Sequence, residues 1–255
     1  ENGKLSQTYA DLICLGKPDW FLFENVKGLW RTKKHREFYE SLKNQLSKNY
    51  NLYERLTNSI EAGAPQDRDR ILLFGIKKSV FKKSNLNWEK ELQFPNPSAF
   101  EHDWIKTSAY KENSKIPAPN NVPLELTVQH WFDTNDVNNH PNQSDIFTPR
   151  AGLKKFKVID EGDVSRKSYK RLHRWRFSPT AAYGNNEVHL HPFESRRISV
   201  AEALAIQSMP KEFILPPDMS LSNKFKTIGN GVPYLLGQSV AKLIEGFLSE
   251  NRIKK

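Results

Sequence analysis

Apolar positions in the N-terminal part of the chain change their period from one stretch to the next. Residues 19–24 read Asp-Trp-Phe-Leu-Phe-Glu and residues 71–76 read Ile-Leu-Leu-Phe-Gly-Ile, two nearly unbroken apolar runs. Runs of this length predict strands covered on both faces. Between them Phe38, Leu42 and Leu46 recur every four residues and predict a helix, whereas Leu52, Glu54 and Leu56 alternate as a strand does. Alternating α and β elements predict part of a wound α/β sheet with parallel crossovers. Such a sheet needs several neighbours, so further strands are expected upstream.

The periodicity fades from Pro95 to Pro149, a stretch that holds seven of the fifteen prolines and favours turns and extended chain. A domain boundary is expected near Pro95. Regular pattern returns after Arg196. Ser199 and Glu202 stand at capping-box spacing and predict a helix running through Leu204 to Gln207. Pro233 occupies a first helical position ahead of Leu236, Val240, Leu243, Ile244 and Phe247, which share one face and predict a helix packed back on the α/β layer. The expected division is residues 1–94, 95–192 and 193–255.

Charge sharpens this picture when it is located. Residues 154–176 hold nine basic side chains against three acidic ones, so they carry +6 of the formal +10. Phe156, Tyr169, His173, Trp175 and Phe177 are interleaved with them. Cations among rigid rings suit phosphate contacts at a nucleic-acid surface, and a solvated charged face is the ordinary alternative. Among the cations, Lys154, Lys155, Lys157, Arg171, Arg174 and Arg176 are the candidate phosphate contacts. One cysteine, Cys14, excludes an internal disulfide and a cysteine-based zinc site, and an intracellular setting is expected. No apolar run reaches bilayer-spanning length, no metal site is expected, and no membrane role is read.

Three groups carry candidate chemistry. Glu24 ends an apolar strand, and ligands of open α/β sheets bind at the carboxyl ends of strands; a salt-bridged or helix-capping glutamate is the alternative. Arg68 and Arg70 alternate with acidic residues before residues 71–76, so both are expected on one side of an extended segment. There two guanidinium forks could grip one ligand, or pair with Asp67 and Asp69. Gly229 and Gly231 in Gly-Asn-Gly-Val-Pro predict a turn before a helix, open to close backbone approach by a cofactor.

In their order along the chain, the blocks FLFENVKGL (residues 21–29), APQDRDRILLFGI (64–76), RFSPTAAYGNNEVHLHP (176–192), RRISVAEALAIQSMP (196–210) and FKTIGNGVPYLLG (225–237) resemble the later motifs of DNA cytosine-5 methyltransferases. The resemblance implies a partial Rossmann-like sheet of an S-adenosylmethionine-dependent methyltransferase, with an inserted, loop-rich and mainly β target recognition domain at residues 95–192. It implies an enzyme of the restriction-modification type that flips a cytosine out of double-stranded DNA and methylates it. Glu24 would then meet the cytosine ring nitrogen, Arg70 its carbonyl oxygen, and Arg68 would support the nucleophile loop. Asn230, Gly231 and Val232 would line the S-adenosylmethionine pocket, and Thr180 and Tyr183 join the DNA-facing candidates. Departures fall at Ala201 and Ala205, where arginines are common, at Ala181, where leucine is frequent, and at Asn185, where glycine is frequent.

The family's Pro-Cys-Gln nucleophile loop and glycine-rich cofactor loop have no counterpart in the sequence, and Cys14, in a predicted helix, is read as a packing residue. The chain, which begins at Glu1, therefore reads as the C-terminal portion of such an enzyme, inactive alone, with an incomplete cofactor pocket. Its partners would be DNA and the N-terminal portion, from the same protein or a separate subunit. Self-association through uncovered apolar surface and a bacterial cytoplasmic location are further expectations. The alternative is a non-catalytic DNA-recognition subunit or module.

Overall fold

The computed structural model describes residues 2–95, 98–149, 152–183 and 187–253. The chain forms two compact units, one of Glu1–Asn58, Asp69–Glu91 and Val240–Lys255, the other of Ser59–Arg68 and Leu92–Ser239.

In the first unit α1 (Asn2–Gly16), β1 (Trp20–Val26), α2 (Gly28–Arg31), α3 (Lys33–Ser47), β2 (Tyr50–Asn58) and β3 (Asp69–Lys77) follow one another. The strands form one sheet in the order β1-β3-β2, and both ladders are antiparallel. β1 and β2 thus run parallel to each other on either side of a reversed β3, with α3 between them in sequence. The expected all-parallel pairing is corrected here: an apolar run reports burial, not the direction of its neighbours. β3, in the centre, is buried from Arg70 to Ile76. β1 lies at an edge, so Phe21 and Phe23 are buried while Leu22 and Glu24 on its other face are half-buried. The expectation that β1 is covered on both faces is corrected accordingly.

Apolar side chains of α1 and α3 cover one face of the sheet. Tyr39, Leu42 and Leu46 of α3 and Ala10 of α1 pack with Phe21, Phe23, Ile71 and Leu73. On the other face Phe74 meets Tyr53 and Phe247, the latter from the helix Tyr234–Asn251. Gly75 sits opposite Phe21, and a Cβ there would lie 2.2 Å from the Phe21 ring, so glycine lets the ring cross the strand. Cys14 is half-buried against this core, with the Gln45 side-chain amide 3.6 Å from its sulfur.

The second unit holds α4 (Val128–Thr134), α5 (Leu153–Phe156), α6 (Val200–Ile206), α7 (Leu221–Asn230) and the start of α8 (Tyr234–Asn251). Its described residues include no named strand; isolated bridges such as Arg171 with Leu190 take that place. The mainly β recognition domain expected from the resemblance is therefore corrected: the segment is loop-rich, and side chains satisfy much of its backbone. Asn142, for example, donates to the Leu215 carbonyl and accepts from the Leu215 amide.

Its core surrounds α6, all seven of whose residues are buried. The capping box forms as predicted, Ser199 accepting from the Glu202 amide and Glu202 from the Ser199 amide. Ala201 and Ala205 are buried in this core, where an arginine would have neither room nor solvent. No helix among the described residues is long and apolar enough to cross a membrane.

Candidate functional site

Strand register brings two of the predicted site residues together. Glu24 lies opposite Leu72 and Arg70 opposite Val26, so Glu24 and Arg70 are diagonal neighbours on adjacent strands. The Arg70 Nε lies 2.5 Å from the Glu24 Oε1, with side-chain exposures of 8% and 33%. Burial pulls the Arg70 pKa below its usual value, and the Glu24 carboxylate opposes the shift. Arg70 also donates through Nη1 to the Asp69 carbonyl. Asp69 turns its carboxylate elsewhere, to Lys27 at 2.8 Å and the Asn58 amide at 3.0 Å. The carboxylate beside Arg70 is therefore that of Glu24, which keeps an exposed edge where β1 ends.

Arg68 is spent differently. It is 2% exposed and donates to the carbonyls of Ala181 at 3.1 Å and Gly229 at 2.7 Å. Gln66 reinforces this join, its Oε1 accepting from both Arg68 and the Ala181 amide. The expected common grip of one ligand by Arg68 and Arg70 is thus corrected: Arg68 fastens backbone of the second unit, and Arg70 faces a carboxylate.

Gly229 and Asn230 form the last turn of α7, and Gly231 caps it, its amide donating to Thr227 and Ile228. The predicted turn before the helix is therefore shorter than expected. Glycine at position 229 serves the fold, because a Cβ there would lie 3.0 Å from the Tyr183 amide nitrogen and 3.3 Å from the Ala181 carbonyl oxygen. Asn230, Gly231 and Val232 are exposed. Gly231 and Val232 border a largely apolar cavity of about 240 Å³, walled also by Leu204, Met209, Phe213 and Leu215.

The basic run separates into two tiers. Lys154, Lys155 and Lys157 are exposed, Arg176 is half-buried with its guanidinium 5.0 Å from the centre of the Phe177 ring, and exposed Thr180 donates to the Asp67 carbonyl. Arg171, Arg174 and Tyr183 are buried and are corrected as direct DNA contacts. Arg171 donates to four backbone carbonyls, Arg174 pairs with the buried Glu161 at 2.8 Å, and Tyr183 packs on Phe225. Asn185 lies outside the described residues.

The model for C-5 cytosine-specific DNA methylases matches residues 1–246. The chain belongs to that family. It is 56% identical over 253 residues to the type II methyltransferase M.NmeDI of Neisseria meningitidis serogroup C, covering 98% of this chain and 59% of that protein. It is 26% identical to the type II methyltransferase M.FnuDI of Fusobacterium nucleatum, over 99% and 72% of the two chains. The chain therefore spans little more than half the length of M.NmeDI. Two solved structures share the fold: a prophage-encoded E. coli protein assigned as a DNA modification methyltransferase (TM-score 0.67, 20% identity, 97% of this chain and 74% of that one) and the Schizosaccharomyces pombe Dnmt2 methyltransferase (TM-score 0.53, 13% identity, 91% and 67%).

In this methylase-family chain, sequence reasoning passed over Lys27 and Asn58, which help to shape the site. Lys27 and Asn58 hold Asp69 away from Arg70. Gln66 and Gly229 complete the anchorage of Arg68. The only signal for Lys27 was its place three residues after Glu24, and a lone lysine at that spacing has many uses.

Proposed function

We propose that the chain is the base-gripping and DNA-recognising C-terminal portion of a type II restriction-modification DNA cytosine-5 methyltransferase. Residues 1–94 and 193–255 belong to its catalytic domain and residues 95–192 to its target recognition domain. The observation that carries this reading is the Glu24–Arg70 pair at the carboxyl end of β1 in a chain of this family.

Carbon 5 of cytosine becomes nucleophilic once a nucleophile adds at carbon 6 and the ring nitrogen on the far side is protonated or held by an acid. Glu24 is the group for that nitrogen, and its exposed edge leaves room for a proton between carboxyl and ring. Arg70 keeps the carboxyl at the strand tip and directs positive charge toward the base's carbonyl oxygen. Arg68 holds the backbone of Ala181 and Gly229, and through it the shape of the recognition segment. The cytosine must leave the duplex first, because a stacked base offers neither its ring nitrogen nor both ring faces.

S-adenosylmethionine supplies the electrophilic methyl group when bound. The exposed Asn230 amide beside the apolar edge of Gly231 and Val232 fits one end of such a molecule, a polar contact next to a hydrophobic wall. The nucleophile and the glycine-rich cofactor loop come, in this reading, from an N-terminal portion, in the same protein or a separate subunit, working in a bacterial cytoplasm. The absence of a Pro-Cys-Gln triplet from the sequence and the 59% coverage of M.NmeDI support that division.

Methyl transfer from tritiated S-adenosylmethionine to duplex DNA tests it. The chain alone is expected to be silent, and the chain mixed with the N-terminal portion of a relative such as M.NmeDI active. Methylation by the purified chain alone would overturn the division of labour. Salt-sensitive duplex binding with no methylation in any mixture would favour a non-catalytic recognition subunit.

A further inference from the structure

The two tiers of the basic run are physically joined, and the joint is Arg171. Its side chain is fully buried, yet no carboxylate among the described residues pairs with it. Nε donates to the Ile159 carbonyl, Nη1 to those of His191 and Glu194, and Nη2 to that of Phe156. The guanidinium also lies 4.0 Å from the centre of the Tyr110 ring. Phe156 is the last residue of α5, so Arg171 satisfies a carbonyl that the end of a helix leaves open, and it ties that end to residues 191–194. Losing water pulls its pKa down to about 10, which leaves it charged at neutral pH.

Above this joint α5 and the residue that caps it turn three cations outward. Lys154, Lys155 and Lys157 are exposed and make no ion pair among the described residues, whereas Lys167 further along lies 3.7 Å from Glu187. The Lys155 ammonium lies 5.8 Å from the centre of the Tyr169 ring, and that ring also packs on Phe156 and on the Arg197 guanidinium. Tyr169 itself is held at φ 61°, a left-handed conformation that a bulky side chain adopts only where its surroundings impose it. A four-residue helix has little stability of its own, so what fixes the direction of its lysines is the packing beneath.

We propose that α5 and its capping residue Lys157 form a preformed ledge for DNA phosphates, contacted by Lys154, Lys155 and Lys157, and that Arg171 is its positioning residue, acting through the Phe156 carbonyl without touching DNA. This rests on the DNA-binding reading above and divides the basic run into cations that meet the polyanion and cations that aim them.

Fluorescence anisotropy of the 255-residue chain on a labelled duplex, across a salt series, tests the proposal. Removing one lysine–phosphate interaction lowers the slope of log affinity against log salt by about 0.9. Replacing the three lysines with glutamine is therefore expected to lower the slope by about 2 to 3. Arg171→Met is expected to weaken binding in the unmodified chain and to add less than about twofold once the lysines are gone, since coupled residues do not act additively. If Arg171→Met does not fold, Arg171→Lys keeps the charge but not the fork, and the same pair of backgrounds applies.

An unchanged slope in the lysine variant would overturn the ledge while leaving DNA binding intact. Equal losses from the Arg171 substitution in both backgrounds would overturn its positioning role. No salt-dependent binding by the unmodified chain would overturn both the ledge and the DNA-binding reading.

Discussion

Arg70 Nε lies 2.5 Å from Glu24 Oε1 across two antiparallel strands, and the register that pairs Val26 with Arg70 makes the contact. If Glu24 serves the cytosine ring nitrogen, Glu24→Gln keeps the shape and removes the proton. In a mixture reconstituted with the N-terminal portion, methyl transfer should fall by about 10²- to 10⁴-fold, the range of a missing general acid, with duplex affinity little changed. A parallel loss of affinity would point instead to a structural part for Glu24.

Gly229→Ala sets two effects against each other. Alanine favours a helix over glycine by about 1 kcal/mol. The new methyl, however, would sit 3.0 Å from the Tyr183 amide nitrogen and 3.3 Å from the Ala181 carbonyl oxygen, both backbone atoms that cannot swing aside. Overpacking costs about 1–3 kcal/mol, so the clash should win, with a net loss of up to about 2 kcal/mol in urea unfolding. A stabilised variant would mean that this backbone yields more easily than its contacts imply.

The Arg174–Glu161 pair is buried on both sides, at 5% and 1% side-chain exposure. Removing one partner should cost about 3–5 kcal/mol, because Glu161→Ala strands a cation away from water. Replacing both, with Glu161→Leu and Arg174→Met, should recover much of that loss. Urea midpoints of the two variants decide the matter, and a loss under about 1 kcal/mol for Glu161→Ala would show that water reaches the site.

Burial pushes the pKa values of His189 and His191 down to about 3. Above the unfolded value of about 6.5 both imidazoles are neutral in either state and contribute no pH dependence. As pH falls from about 6.5 toward 3, the unfolded chain takes up protons that the folded one refuses. Stability should then drop by up to about 1.4 kcal/mol per pH unit for each histidine. Unfolding at pH 7.5, 6 and 5 should trace this decline, and a His189→Gln, His191→Gln variant should flatten it. An equally steep decline in that variant would assign the acid sensitivity to other groups.

What the sequence disclosed was mostly local. The spacing of Phe38, Leu42 and Leu46 reports α3, the Ser199–Glu202 interval reports the start of α6, and the apolar row from Leu236 to Phe247 reports α8, because each signal is confined to a few turns of one element. Glu24 was legible as lying near the end of a strand, although β1 runs two residues further, to Val26. Its contact with Arg70 needed the strand register, which the apolar runs do not specify. The sorting of Arg171 from Lys154 was illegible for a different reason. Both are cations in one basic run, and only the convergence of residues 156–159 and 191–194 puts one inside and leaves the other out. Gly229 likewise read as turn material until the backbone of Ala181 and Tyr183 was found against it.

The lone thiol of Cys14, seated against Gln45 beside the α1–α3 core, makes the chain chemically simple in one useful respect. Alkylating it with a maleimide marks a single address on α1, outside the set of residues assigned to the base. Methyl transfer that survived such capping, in an otherwise unblocked mixture, would trace the attacking sulfur to whichever molecule was added.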